Sequence, residues 1–254
     1  MKKTLKRIPR ISTRGFYNLS TGKTLRTGSY DLYPPKSFQN FLGVKELVIM
    51  IHGLQNNKAG ALAKFVIARK RLRYLLYRYP VVGYSYDSNT KGIHIKATAL
   101  KALRVGRLIA KKNGNNLSKF ITDFKKKSPE TKIRLIGHSL GTEVILSTLK
   151  KLATKPKNYG IVESVYFFGA SIPNDTASPG IHGKIMQRVV HKKIKNFYSP
   201  GDEVLKQSDN FGLVEIPMGL YGAKGKRVSK LIQKKVFPKN HRFQSYAAKL
   251  MSFP

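Results

Sequence analysis

The chain has 254 residues, with 49 Lys and Arg against 12 Asp and Glu, a formal charge of +37 at pH 7. Its 41% hydrophobic and 10% aromatic content excludes a disordered polycation, and the lack of cysteine excludes a disulfide framework, a Cys nucleophile and Cys-ligated metal sites. Such a chain can bury a core of its own and should attract polyanions at low salt.

The first acid is Asp31 and none follows Glu215, so both ends are basic flanks, the N-terminal one covering about residues 1–14. No apolar segment follows MKKTLKRIPRISTRG, so no secretory signal is read there. No run approaches the roughly 18 apolar residues of a membrane span. A cytoplasmic or particle-associated protein is expected. Residues 15–19, a Ser20-Thr21-Gly22-Lys23 turn and residues 24–26 read as a hairpin, which would set antiparallel strands at one sheet edge.

Residues 46–51 form an apolar strand ending at His52-Gly53. A helical spacing over 61–79 stops at Pro80 and carries the densest basic run, Arg69-Lys70-Arg71-Leu72-Arg73, either a solvated face or an anion-binding surface. A strand over 81–86 follows. A helix over 93–112 is closed by Asn113-Gly114, and Leu117, Phe120, Ile121 and Phe124 mark a second, short amphipathic helix. Residues 132–136 are a strand leading into Gly137-His138-Ser139-Leu140-Gly141 and a helix to about 152. A strand over 162–168, a loop over 171–180, a short helix over 182–190 and a strand over 195–199 come next. The last strand meets Pro200-Gly201-Asp202, and an amphipathic helix follows His241. This alternation predicts one α/β domain over 1–254, a mostly parallel twisted sheet with helices on both faces and no large cap domain. Only 171–180 and 206–240 are free to cover a site.

The chemistry is carried by Gly137-His138-Ser139-Leu140-Gly141 between a strand and a helix, the nucleophile-elbow pattern in its required context. The sharp reversal puts the serine in strained backbone geometry at the helix N-terminus, and glycines two before and two after it let strand and helix approach. His52-Gly53-Leu54 ends the first parallel strand, so the Leu54 and Leu140 N–H groups pair as an oxyanion hole, with His52, Gly53, Gly137 and Gly141 in support. A serine needs a base. Of six histidines, His241 alone follows the last strand, while His138 should point away from the serine's side. The acid that orients the base is Asp202, directly after a strand and turn, or its rival Asp175. Asp87 and Ser88 end another strand, where Asp87 is a helix N-cap or a residue on the site rim.

These residues resemble the α/β-hydrolase superfamily over about 11–252. More narrowly, Ile11-Ser12-Thr13-Arg14-Gly15, the 51–57 segment IHGLQNN, the 83–88 segment GYSYDS and the 198–205 segment YSPGDEVL resemble small archaeal α/β-hydrolase-like proteins of unassigned substrate. The resemblance implies a lipase- or esterase-like Ser139–His241–Asp202 triad acting on a small acyl substrate, without metal or cofactor. The strong basicity departs from that group. Catalysis does not require it, so a second reading stands beside the first: the same fold in a structural or binding role on nucleic acid, a virion interior or an anionic membrane surface. No zinc-finger spacing, heptad zipper or RNP-like motif is present to read nucleic-acid sequence.

Overall fold

In the computed structural model, which describes residues 8–92, 96–212 and 215–254, eight strands form a single sheet. The expectations for residues 1–7 of the basic flank, and for Ile93 and His94, lie outside the described residues. The strands are β1 (Arg10–Ser12), β2 (Asp31–Tyr33), β3 (Glu46–Ile51), β4 (Val81–Ser85), β5 (Lys132–His138), β6 (Val162–Phe168), β7 (Val190–Tyr198) and β8 (Leu231–Lys235). Their order is β2-β1-β4-β3-β5-β6-β7-β8, and every neighbouring pair is parallel except β1 with β2.

The run of apolar residues in β3 is explained by burial on both faces. Leu47, Ile49 and Ile51 point into one core cluster, while Val48 and Met50 point into the other. Helices α3 (Lys96–Lys127), α4 (Gly141–Leu152) and α5 (Gly183–Val189) cover the first face. Helices α2 (Lys58–Tyr74) and α8 (Phe243–Ala247) cover the second. Three short helices, α1 (Pro35–Gln39), α6 (Glu203–Asn210) and α7 (Met218–Tyr221), complete the set. Among the described residues no separate cap domain stands over the strand ends.

Four expectations are corrected. The 15–26 hairpin forms, with Leu25 N–H donating to Phe16 O and Asn18 N–H to Lys23 O around a Tyr17–Thr24 bridge, but it stays outside the sheet, and β2 supplies the antiparallel edge by pairing with β1. Asp87 anchors the start of the hairpin: its buried carboxylate accepts from the Gly15 and Tyr17 N–H groups at 3.0–3.1 Å. Asp87 is therefore neither a helix cap nor a rim residue.

The second correction is α3, which runs unbroken through Asn113-Gly114. Gly114 is a contact, not a stop. A Cβ on it would meet Ser147 Cβ at 2.4 Å, Ser147 C at 2.6 Å and Thr148 N at 2.9 Å, so α3 and α4 pack almost backbone to backbone there. Asn113 is buried beside it. Its Oδ1 accepts from Thr13 Oγ1 (2.6 Å) and the Tyr84 hydroxyl (2.8 Å), and its Nδ2 donates to Ile109 O (2.8 Å).

The third is β8. The segment 206–240, expected to be free to cover a site, commits five residues to an edge strand. Its sequence, Leu-Ile-Gln-Lys-Lys, escapes pattern reading because Ile232, Lys234 and Lys235 face water, as suits an edge.

The fourth is the end of α2, which stops at Tyr74 rather than 79. Leu76 takes the left-handed conformation (φ 62°) in a Schellman turn, with Tyr77 N–H donating to Leu72 O and Leu76 N–H to Arg73 O. Glycine is the usual residue there, and leucine costs roughly 1–2 kcal/mol.

Candidate active site

The loops after β3, β5, β6 and β7 meet at the carboxyl end of the sheet. Ser139 follows β5 with φ 52°, a left-handed non-glycine residue of the kind that costs about 1–3 kcal/mol and persists only where its surroundings enforce it. Here the enforcement is visible. Ser139 N–H donates to Phe168 O at 3.0 Å, and Ser139 O accepts from Thr142 Oγ1 at 2.6 Å. Gly141 lies so close to the β3 end that a Cβ would sit 2.5 Å from Ile51 O. A Cβ on Gly53 would sit 2.8 Å from Ser139 Cβ. The loop after β3 thus passes directly over the serine.

That loop is held rigidly. Arg14 Nη2 donates to Asn56 O at 2.8 Å, and Arg14 Nε donates to Ser85 Oγ at 3.0 Å. His52 is fully buried and stacked on Tyr86, with ring centroids 4.6 Å apart. Its Nδ1 lies 2.9 Å from Gly53 O, a carbonyl that can only accept, so the proton is on Nδ1. Nε2 then accepts from Arg14 Nη2 and Tyr86 N–H, both at 3.3 Å. Burial, with the Arg14 charge added, holds His52 well below the ordinary histidine range, so it stays neutral. Ser88, expected on the rim, is buried and exchanges hydrogen bonds with the Asn56 backbone. Among the described residues, the Leu54 and Leu140 N–H groups donate to no protein acceptor.

Asp202 is the N-cap of α6, its Oδ1 accepting from Leu205 N–H at 3.2 Å. Its Oδ2 accepts from His241 Nδ1 and from the Tyr246 hydroxyl, each at 2.6 Å. Burial alone would raise this carboxyl. The His241 contact, the Tyr246 hydroxyl and the Leu205 N–H outweigh it, and its pKa lies below the usual value. The carboxylate holds a proton on His241 Nδ1, while Nε2 is buried and has no hydrogen-bond partner, Ser139 Oγ included. Asp175 is exposed in the 171–180 loop. That loop begins at the serine: Ser171 Oγ lies 3.5 Å from Ser139 Oγ, and Ser171 N–H donates to Thr142 Oγ1 at 3.1 Å.

Three residues here were missed or misread from sequence. His138 does not merely turn away. Its Nε2 donates to the His241 carbonyl at 2.7 Å and its ring sits 4.9 Å from that of His241, so the residue before the serine positions His241. Burial, then the neighbouring His241, holds His138 well below the ordinary histidine value. Tyr246 carried no signal except its place five residues beyond His241. Arg14 stood in a recognisable segment but is remote in sequence from everything it holds. Among the described residues no group of three or more His, Asp or Glu is arranged to hold a metal ion, and no helix is long and apolar enough to cross a membrane.

A parallel sheet with helices on both faces and a strained serine between β5 and α4 decides the architecture. The fold is that of the α/β-hydrolases. A family profile described as a protein of unknown function, DUF726, matches residues 99–208, a span that holds Ser139 and Asp202 but not Leu54 or His241. A search of curated proteins finds no match. Among solved structures, a Trichoderma reesei cutinase in complex with a phosphonate inhibitor is similar at 16% identity and TM-score 0.34, over 54% of this chain and 60% of that one. This chain therefore spans less than two thirds of that cutinase. A cutinase-like protein from Cryptococcus sp. is similar at 12% identity and TM-score 0.40, over 80% and 87%. A lipase-esterase related protein from Clostridium acetobutylicum is similar at 13% identity and TM-score 0.40, over 82% and 94%.

Proposed function

We propose that the chain is a serine hydrolase of ester-type acyl bonds. The observation that carries this reading is the hydrogen-bonded line Tyr246–Asp202–His241, with an unpartnered Nε2, at the same end of the sheet as the left-handed Ser139. In the reaction His241 Nε2 takes the Ser139 proton as the hydroxyl attacks the acyl carbon. Asp202 stabilises the imidazolium, and Nε2 returns the proton to the leaving alcohol. The Leu54 and Leu140 N–H groups receive the oxyanion, each worth about 3 kcal/mol in the transition state. Water then repeats the sequence on the acyl-serine.

A fluorophosphonate probe should label Ser139 in the folded protein, and Ser139→Ala should abolish both labelling and hydrolysis of short p-nitrophenyl esters. Equal labelling of wild type and Ser139→Ala, or none of either, removes the hydrolase reading.

A further inference from the structure

A groove of about 920 Å³ lies far from Ser139. It is lined on one side by Val66, Arg69, Lys70 and Arg73 of α2, and it continues through residues 76–81 to Ile8, Pro9 and Phe41. Val81 begins β4, whereas Ser139 follows the end of β5, and β4, β3 and β5 are parallel. Groove and serine therefore sit at opposite ends of the sheet, about 20 Å apart along the strands.

Three features set this surface apart. First, its cations are free. Arg69, Lys70, Arg73 and Arg78 are exposed, no carboxylate lines the groove, and among the described residues none of the four has a side-chain partner. Arg71, in the same run, behaves differently. It donates to the Leu250 and Ala248 carbonyls and covers the Tyr74 ring at 4.9 Å. Second, the cations surround apolar material: Val66, Pro80, Val81 and the aliphatic Leu76. Third, Leu76 is 81% exposed and holds the strained left-handed position at which glycine would be favoured. The fold gains nothing from a leucine there, on either count.

We infer that this groove docks the chain on an anionic phospholipid surface, with Leu76 entering the acyl layer and Arg69, Lys70, Arg73 and Arg78 meeting the headgroups. Unpaired cations around a protruding aliphatic side chain match a membrane interface. Nucleic acid would use the cations, and the exposed Tyr74, but offers nothing to Leu76. Docking in this way turns Ser139 away from the bilayer. The site then faces water, so its substrate is soluble rather than a lipid of the membrane that holds the protein. The docking itself does not depend on the hydrolase reading.

The test is co-sedimentation of the full chain with phosphatidylcholine vesicles, with and without 30% phosphatidylserine, at 150 mM salt. Wild type should bind only the anionic vesicles. Replacing Arg69, Lys70, Arg73 and Arg78 with Gln should cut partition more than a hundredfold, at about fivefold per surface cation. A variant of equal net charge, with exposed Lys224, Lys226, Arg227 and Lys239 replaced by Gln, should lose less than tenfold. Leu76→Gly should raise the melting temperature while lowering partition about tenfold. Equal losses in the two charge variants would reduce the effect to net charge and overturn the proposal. So would a groove variant that loses binding to a single-stranded oligonucleotide but keeps binding to vesicles, or a Leu76→Gly that binds like wild type. Ester hydrolysis plays no part in these readouts, so a failed hydrolase assay and a failed docking assay are separate results.

Discussion

Gly114→Ala sets two known effects against each other. In an isolated helix the change is favourable by about 1 kcal/mol, because alanine is the better helix former. Gly114 has no positive φ, so its backbone suits alanine, and the only opposition is contact. That contact is severe. The added methyl would lie 2.6 Å from Ser147 C and 2.9 Å from Thr148 N, backbone atoms that no rotamer change can move. Helices α3 and α4 must separate by several tenths of an ångström along their seam. Overpacking of this kind costs about 1–3 kcal/mol, and contact with rigid backbone places it at the upper end. The net expectation is destabilisation by about 1–2 kcal/mol, read as a lower urea midpoint at unchanged slope. Because α4 starts at the elbow, fluorophosphonate labelling of Ser139 should slow as well. Gly180→Ala, where nothing lies within 4 Å, is the control and should be near neutral. A Gly114→Ala protein more stable than wild type would refute the close-packed seam.

Three further outcomes are expected. Tyr246→Phe removes a donor to the Asp202 carboxylate, a bond of about 1.5–3 kcal/mol, so kcat/KM on a p-nitrophenyl ester should fall about tenfold or more; no change would make Tyr246 mere filling. Arg14→Met frees the 52–57 loop and should slow Ser139 labelling more than tenfold with the protein still folded at 25 °C, whereas wild-type labelling would show that the loop holds itself. His52 and His138 are buried with depressed pKa values, so as pH falls below the ordinary 6.5 the unfolded chain binds protons that the folded chain refuses. Stability should then fall by up to about 1.4 kcal/mol per pH unit for each histidine. Asp202, depressed below 3.8, adds its own loss only at more acid pH. A urea midpoint unchanged between pH 7 and pH 5 would contradict the buried neutral histidines.

What was legible in the sequence was whatever local pattern controls. The central parallel strands are apolar because both faces are covered, and the elbow glycines are needed within a few residues of one another. The errors arose where distant contact overrides local preference. Asn113-Gly114 has the form of a helix terminus, yet Ser147 and Thr148 determine what Gly114 does. Asp87 looks like a cap, yet its partners are Gly15 and Tyr17, some 70 residues away. Strand β8 is half polar because it is an edge. In the candidate site, the residues proposed to act by their own chemistry, Ser139, Asp202 and His241, carried a signal through their place after strands. Residues that act by holding others, Arg14, His138 and Tyr246, carried little, because a hydrogen bond across the fold imposes no spacing in the chain.

The scarcity of acids has a consequence for the native state itself. Asp31, Glu46, Asp123, Glu143, Glu163, Asp202 and Glu203 each face a basic partner, and Asp87 is spent on backbone amides. Only Glu130, Asp175, Asp209 and Glu215 are left to offset the remaining lysines and arginines. The folded molecule is thus a compact polyelectrolyte, and its small ions belong to its thermodynamics. Added salt should weaken self-repulsion more than it weakens the few ion pairs, so the fold should tighten as ionic strength rises.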